Sequence, residues 1–161
     1  MKESRISVLF VCEGNICRSP TAEGILRALV VKAGLTDQIS IDSAGTSKYH
    51  LGAPPDRRAV REAARRGYDL STLRARQVAP EDCHYFDYIV AMDGANLSYL
   101  RRLCPGIDTL YRLLDFTIEM KEQDIPDPYY GGPRDFERVI DLIEQACRVF
   151  FEVLKTRLHA S

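Results

Sequence analysis

Short apolar runs alternate along this chain with stretches whose apolar residues recur at helical spacing. Ile6 to Val11 is almost unbroken in apolar side chains and predicts a buried strand. Ala22, Ile25, Leu26, Leu29 and Val30 then keep a helical period, predicting a helix from about Pro20 to Lys32 with Gly34 as its stop. Ile39 to Ser43 alternates as a second strand, closed by Ala44 and Gly45. A polar loop, Thr46 to Pro55, leads into a second helix from Pro55 or Asp56. On that helix Ala59, Val60, Ala63 and Ala64 form the inward stripe. Arg57, Arg58, Arg61 and Arg65 form an outward face, read as solvated and, secondarily, as steering anionic substrates.

The second half repeats the alternation. A helical turn at Pro80 to Cys83 precedes Tyr88 to Met92, a strand apolar enough to be buried on both faces of a parallel sheet. Asn96 to Leu103 reads as a helix, and Ile107 to Leu114 contains a fourth strand. Phe136, Val139, Ile140, Ile143, Ala146, Cys147, Phe150 and Leu154 mark a long last helix. This pattern predicts an α/β fold, with residues 1–161 as a single domain. Its expected form is a doubly wound, four-stranded parallel sheet with helices on both faces and right-handed crossovers. Ligands bind such sheets beyond the carboxyl ends of the strands. Cys12, Ser43, Asp93 and the loop from Asp115 to Gly132 all emerge from those ends.

Composition narrows the function classes. With 22 Lys plus Arg against 23 Asp plus Glu, the net charge of -1 leaves no nucleic-acid footprint. No apolar run approaches the roughly 20 residues of a membrane span, so no membrane insertion is expected. Met1 to Cys12 lacks the form of a secretory signal, which predicts a cytoplasmic protein. The five cysteines, Cys12, Cys17, Cys83, Cys104 and Cys147, form no regular framework and fit a reducing compartment. His50, His84 and His159 are scattered singly, so each reads as a surface or loop residue, and neither metal nor cofactor is expected.

The chemistry concentrates in Val11-Cys12-Glu13-Gly14-Asn15-Ile16-Cys17-Arg18-Ser19-Pro20, between the first strand and the first helix. A loop there turns several N–H groups toward one point, and the helix behind it adds a positive dipole end. The backbone of Glu13, Gly14, Asn15, Ile16, Cys17 and Arg18 is thus a predicted phosphate cradle. Gly14 is expected to permit a turn that a side chain would hinder, and Asn15 tolerates a left-handed conformation. Ser19 is a candidate helix cap, and Pro20 suits the first turn. Helix N-termini and nearby guanidinium groups favour nucleophilic thiolates, which makes Cys12 the candidate nucleophile. Arg18 offers a planar fork of donors for two phosphate oxygens. A cysteine closing a buried strand is more often a small core residue, but the Gly-Asn inside this loop and the Ser-Pro after it point to phosphoryl transfer. A Walker loop is excluded, because no lysine lies between Lys2 and Lys32.

Displacing a phenol from phosphorus calls for a proton donor, since a tyrosine leaving group has a pKa of about 10. The candidate is Asp127 in Ile125-Pro126-Asp127-Pro128-Tyr129-Tyr130-Gly131-Gly132, a loop stiffened by its prolines. Taken alone, that segment is a turn with surface tyrosines.

The loop V-C-E-G-N-I-C-R-S-P resembles the signature of the low-molecular-weight protein tyrosine phosphatases, and the likeness extends along most of the chain. The resemblance implies metal-independent hydrolysis of phosphotyrosine in proteins, and of small aryl phosphates, through a cysteinyl-phosphate. Its catalytic residues would be Cys12, Arg18 and Asp127. Asn15 would hold the loop, Ser19 would stabilise the thiolate, and Ser43 would partner the asparagine. Members often carry a histidine where this chain has Leu73, which implies a smaller network here or a water in its place. Cys17 would be a redox partner of Cys12. Glu13, Tyr49, Tyr129 and Tyr130 would line the substrate slot. Glu13 departs from the apolar or hydroxyl residue usual there, and its carboxylate is expected to repel acidic residues flanking a phosphotyrosine. Arginine phosphatases of the family carry threonine at the position of Ile16, so isoleucine favours phosphotyrosine. The partner implied is a tyrosine-phosphorylated protein and, for a bacterial source, an autophosphorylated tyrosine kinase controlling surface polysaccharide. Two alternatives remain: a thioredoxin-coupled arsenate reductase, which needs a cysteine at the end of the third strand, and a non-catalytic phosphate-binding module.

Overall fold

In the computed structural model, which describes residues 5–121 and 123–160, the strands are β1 (Ile6–Cys12), β2 (Ile39–Gly45), β3 (Tyr88–Ala91) and β4 (Leu110–Arg112). They form one four-stranded sheet in the order β2-β1-β3-β4, with every pairing parallel. The helices are α1 (Arg18–Lys32), α2 (Arg57–Arg65), α3 (Asp82–Tyr85), α4 (Gly94–Leu103) and α5 (Pro133–Ala160), with short 3-10 turns after β4. All seven residues of β1 are buried, because the sheet is covered on both faces. Ile6, Val8, Phe10 and Cys12 point into a core with Ile25 and Leu26 of α1 and Ile143, Phe150 and Leu154 of α5. Leu9 and Val11 point the other way, to Leu97 and Leu100 of α4. The sheet is therefore doubly wound, as the alternation predicts, and its order reverses between β1 and β3. The loops that follow those two strands open on one crevice.

The first core is dominated by aromatic packing. Phe150 meets Phe10 edge-on at 6.1 Å between ring centroids and Tyr88 at 5.4 Å. Burying a phenyl ring of this kind contributes roughly 1.5–3 kcal/mol, which pins the long α5 to the strand that carries the site. No described helix is long and apolar enough to cross a membrane.

Several local expectations need correction. Helix α1 begins at Arg18, and its N-cap is Cys17, with no side-chain capping bond. Ser19 therefore sits inside the first turn, with its hydroxyl committed elsewhere. Gly34 does end α1, at φ +71°. On α2, Ala64 is exposed and Glu62 is buried instead, because Glu62 is paired with Arg65 at 3.0 Å and Arg66 at 3.3 Å. Asp56 caps that helix by accepting from the Arg58 N–H. Cys83 of α3 and Cys104 just past α4 form a disulfide, with Cα atoms 5.5 Å apart. No spacing rule announced this pair; it arises because α3 and the end of α4 meet at the amino-terminal edge of the sheet. Cys12, Cys17 and Cys147 are free and buried.

Candidate active site

Strand β1 delivers Cys12 opposite Gly45 of β2. The loop beyond it is held by its carbonyls. Thr46 N–H donates to Cys12 O at 2.9 Å, Ser47 N–H to Glu13 O at 3.0 Å, and Asp56 N–H to Ile16 O at 2.8 Å. Gly45 makes this close approach feasible, since a Cβ there would stand 2.6 Å from Glu13 O. Asn15 takes φ +55°, a conformation costly for most side chains. Its amide offsets that cost with three hydrogen bonds. Nδ2 donates to Ser19 Oγ at 2.8 Å and to Ser43 Oγ at 2.9 Å, while Oδ1 accepts from the Arg76 N–H at 3.0 Å. At Gly14 the requirement is space rather than a left-handed turn. It is not among the glycines with positive φ, and a Cβ there would meet the ring of His50 at 3.1 Å.

The polar chain continues behind the loop. Ser43 Oγ donates to Glu23 Oε1 at 2.7 Å, and Arg27 donates to Glu23 Oε2 at 2.6 Å. Burial pushes the Glu23 carboxyl up, and its bonds to Ser43 and Arg27 only partly counter this, so it stays above its ordinary range. At the front, Ser19 Oγ lies 3.0 Å from Cys12 Sγ. The Ser19 oxygen accepts from Asn15, which leaves its proton for the sulfur or for Ala44 O at the longer distance of 3.5 Å.

Arg18, in the first turn of α1, has only 3% of its side chain exposed. One terminal nitrogen donates to Asp93 Oδ2 at 2.6 Å and to Ile125 O at 3.0 Å; the other stands 3.6 Å from Asp127 Oδ2. Burial would lower its pKa, but Cys12 and Asp93 outweigh that and raise it. Asp93 also caps α4 through a 2.8 Å bond from the Asn96 N–H. Sequence reasoning placed Asp93 at a strand end without giving it a role; an acidic residue at the switch point was the available signal. Asp127 has a 40% exposed side chain, and its Oδ1 accepts from the Tyr129 N–H at 3.1 Å. Burial, and then the negative charges of Asp56, Cys12 and Asp127, push the Cys17 thiol far up.

A cavity of about 380 Å³ joins these parts, lined by Cys12, Glu13, Gly14, Ile16, Cys17, Arg18, Ser47, Tyr49, His50, Asp127, Tyr129 and Tyr130. It brings together the predicted nucleophile, arginine and acid with all four predicted slot residues. Asn15, Ser19 and Ser43 lie behind its floor, in the hydrogen-bonded chain. His50, read from sequence as a bland loop residue, is part of the wall, beside Tyr129 at 6.3 Å between ring centroids.

Comparison with known proteins decides the family. The model of the low molecular weight phosphotyrosine protein phosphatases matches residues 7–160. The chain belongs to that family. The YfkJ low-molecular-weight protein-tyrosine-phosphatase of Bacillus subtilis is 46% identical over 144 residues, covering 88% of this chain and 91% of the relative. Its crystal structure superposes with a TM-score of 0.90, covering 98% and 99% of the two chains at 41% identity. The human low-molecular-weight phosphotyrosine protein phosphatase is 44% identical over 149 residues, covering 91% of this chain and 94% of the relative. An arginine phosphatase of Drosophila also superposes, at 34% identity and a TM-score of 0.84, covering 92% and 97% of the chains. Within this phosphatase, Leu73 packs against the first core, and the Asn15 network is closed without it, by the Arg76 backbone and the Glu23 carboxylate.

Proposed function

We propose that this phosphatase hydrolyses phosphotyrosine in proteins, and small aryl phosphates, through a cysteinyl-phosphate. The observation that supports the reading best is the convergence of Cys12, Arg18 and Asp127 on one cavity. Cys12 Sγ attacks phosphorus in line as the bond to the tyrosyl oxygen breaks, and Asp127 gives its proton to the departing phenolate. Asp127 then takes a proton from the water that breaks the sulfur–phosphorus bond, which regenerates the thiolate and releases phosphate. Arg18, held flat by Asp93 and Ile125 O, and the N–H groups of residues 13 to 18 stabilise the charge on the equatorial oxygens.

The preference for phosphotyrosine over phosphoarginine rests on Ile16, since the family resemblance associates arginine phosphatases with threonine at that position. Arsenate reduction is disfavoured because Met92 and Asp93 stand at the end of β3, where that chemistry needs a cysteine. Asp93 is occupied with Arg18, and Cys83 and Cys104 are bonded to each other. The substrate proposed is a tyrosine-phosphorylated protein, and an autophosphorylated tyrosine kinase is the first to assay.

The test is hydrolysis of para-nitrophenyl phosphate in excess chelator by wild type and Cys12→Ser, with mass spectrometry of the protein quenched during turnover. Turnover by the wild type alone, with a phosphate adduct on the Cys12 peptide, is expected. An inactive reduced wild type would overturn the reading in favour of a binding module. Activity that survives Cys12→Ser would overturn the cysteinyl-phosphate.

A further inference from the structure

We infer that Arg58 is a positioning residue that ties the acid loop to the phosphate loop and so holds the Asp127 carboxyl over the cavity; this rests on the proposed role of Asp127. The sequence left Arg58 on a solvated basic face, but its guanidinium, although its side chain is 42% exposed, is bonded to both the start of its own helix and the acid loop. Nε donates to Asp56 Oδ1 at 3.0 Å and one terminal nitrogen to Asp56 Oδ2 at 2.9 Å. That same nitrogen donates to Tyr129 O at 2.9 Å, and the other reaches Gly131 O at 3.5 Å. The flat guanidinium lies over the Phe136 ring at 4.5 Å and near the Tyr129 ring at 5.6 Å.

Both ends of this bridge matter to the site. Asp56 gives its backbone N–H to Ile16 O in the phosphate loop, so the Asp56–Arg58 pair moves with that loop. Tyr129 gives its N–H to Asp127 Oδ1, so the Tyr129 peptide orients the acid directly. A continuous run of short contacts thus leads from Ile16 through Asp56, Arg58 and Tyr129 to Asp127. The loop needs such a tie, because Asp127 is substantially exposed and Tyr130 is 96% exposed, leaving little packing of their own to fix them. An exposed ion pair by itself contributes only about 0–1 kcal/mol. Here the planar fork and the stacking face are used together, which a lysine ammonium cannot reproduce. Arg58 does not line the cavity, so it acts on the reaction through the residues it holds, and its contact with the Tyr129 peptide directs that action to the acid.

A positioning role predicts an effect that depends on the leaving group. Phenyl phosphate releases a basic phenolate that needs protonation, whereas 2,4-dinitrophenyl phosphate releases a stable anion that does not. For Arg58→Met, kcat/KM on phenyl phosphate should fall about tenfold, a fraction of the 10²–10⁴ that a general acid supplies. On dinitrophenyl phosphate the fall should be less than about twofold. Asp127→Asn should show the same selectivity more strongly, and Arg61→Met, an exposed charge on the same helix, should show none. Arg58→Lys keeps the charge and most of the stem; it should lose selectively too, by less, and serves where Arg58→Met is too unstable to assay. Equal losses on both esters, or no loss in either Arg58 variant, would overturn the inference while wild-type turnover left the phosphatase reading standing. If Asp127→Asn showed no leaving-group dependence, the assigned acid itself would be wrong, and the inference would fall with it.

Discussion

Ser19 places its hydroxyl oxygen 3.0 Å from the sulfur of Cys12 and makes no capping bond to the helix it helps to start. Asn15 makes this possible by donating to the Ser19 oxygen. The serine hydroxyl is therefore held beside the candidate nucleophile by the same asparagine that takes positive φ in the loop.

Removing the Ser19 hydroxyl should slow the reaction without unfolding the protein. A hydrogen bond to a charged group is worth about 1.5–3 kcal/mol, so Ser19→Ala should lower kcat/KM for para-nitrophenyl phosphate roughly 10- to 150-fold. Steady-state kinetics with a matched thermal melt checks this. Undiminished activity would remove Ser19 from the chemistry.

Gly45 lies where β2 passes the phosphate loop, and the obstacle a Cβ would meet is the Glu13 backbone, which cannot swing aside. Gly45→Ala should destabilise the fold by about 1–3 kcal/mol, as overpacking does, and weaken inhibition by inorganic phosphate. Urea unfolding and phosphate inhibition measure the two effects separately. A variant with both properties unchanged would contradict the tight approach.

Glu23 supplies a pH dependence. Its carboxyl is raised in the folded protein, so the native state holds a proton that the unfolded chain gives up at lower pH. The stability linked to it is fully present below the unfolded value and is lost as pH rises through the folded one. Urea unfolding at a series of pH values from the ordinary glutamate range upward should show Glu23→Gln gaining relative to wild type as pH increases. A constant difference across the series would refute the linkage.

Glu13 is exposed at the rim of the cavity, so its charge acts through water and is screened. Glu13→Leu should improve kcat/KM for phosphopeptides with acidic flanking residues roughly two- to fivefold, the range of exposed charge pairs, and leave neutral ones unchanged. Equal changes for both peptides would remove its charge from substrate choice.

Cys17 is free and buried, and it lines the same cavity as Cys12. The redox proposal is that peroxide converts the Cys12 thiol to a sulfenic acid, releasing water. The Cys17 thiol then displaces hydroxyl from that sulfur as a second water, leaving a disulfide that added thiol reduces. Cys17→Ser should therefore recover less activity than wild type after peroxide and thiol treatment. Equal recovery would sink the proposal.

The sequence by itself determined the order of the elements, because β1, α1 and α5 carry long, clean apolar periods. It also marked Cys12 and Arg18 as the candidate nucleophile and phosphate-binding arginine, because they sit within one strand–loop–helix unit whose geometry is local. Asp127 was legible only once the first motif gave it a reaction to serve. The parts decided by the tertiary structure are those whose partners are distant in the chain. Arg18 meets Asp93 across 75 positions and Arg58 meets Tyr129 across 71. Glu23 meets Ser43 behind the loop, His50 closes one wall, and Cys83 finds Cys104 at the far edge of the sheet. Periodicity reports which face of an element is buried, but not which residue it meets. The crossovers of the doubly wound sheet make those introductions.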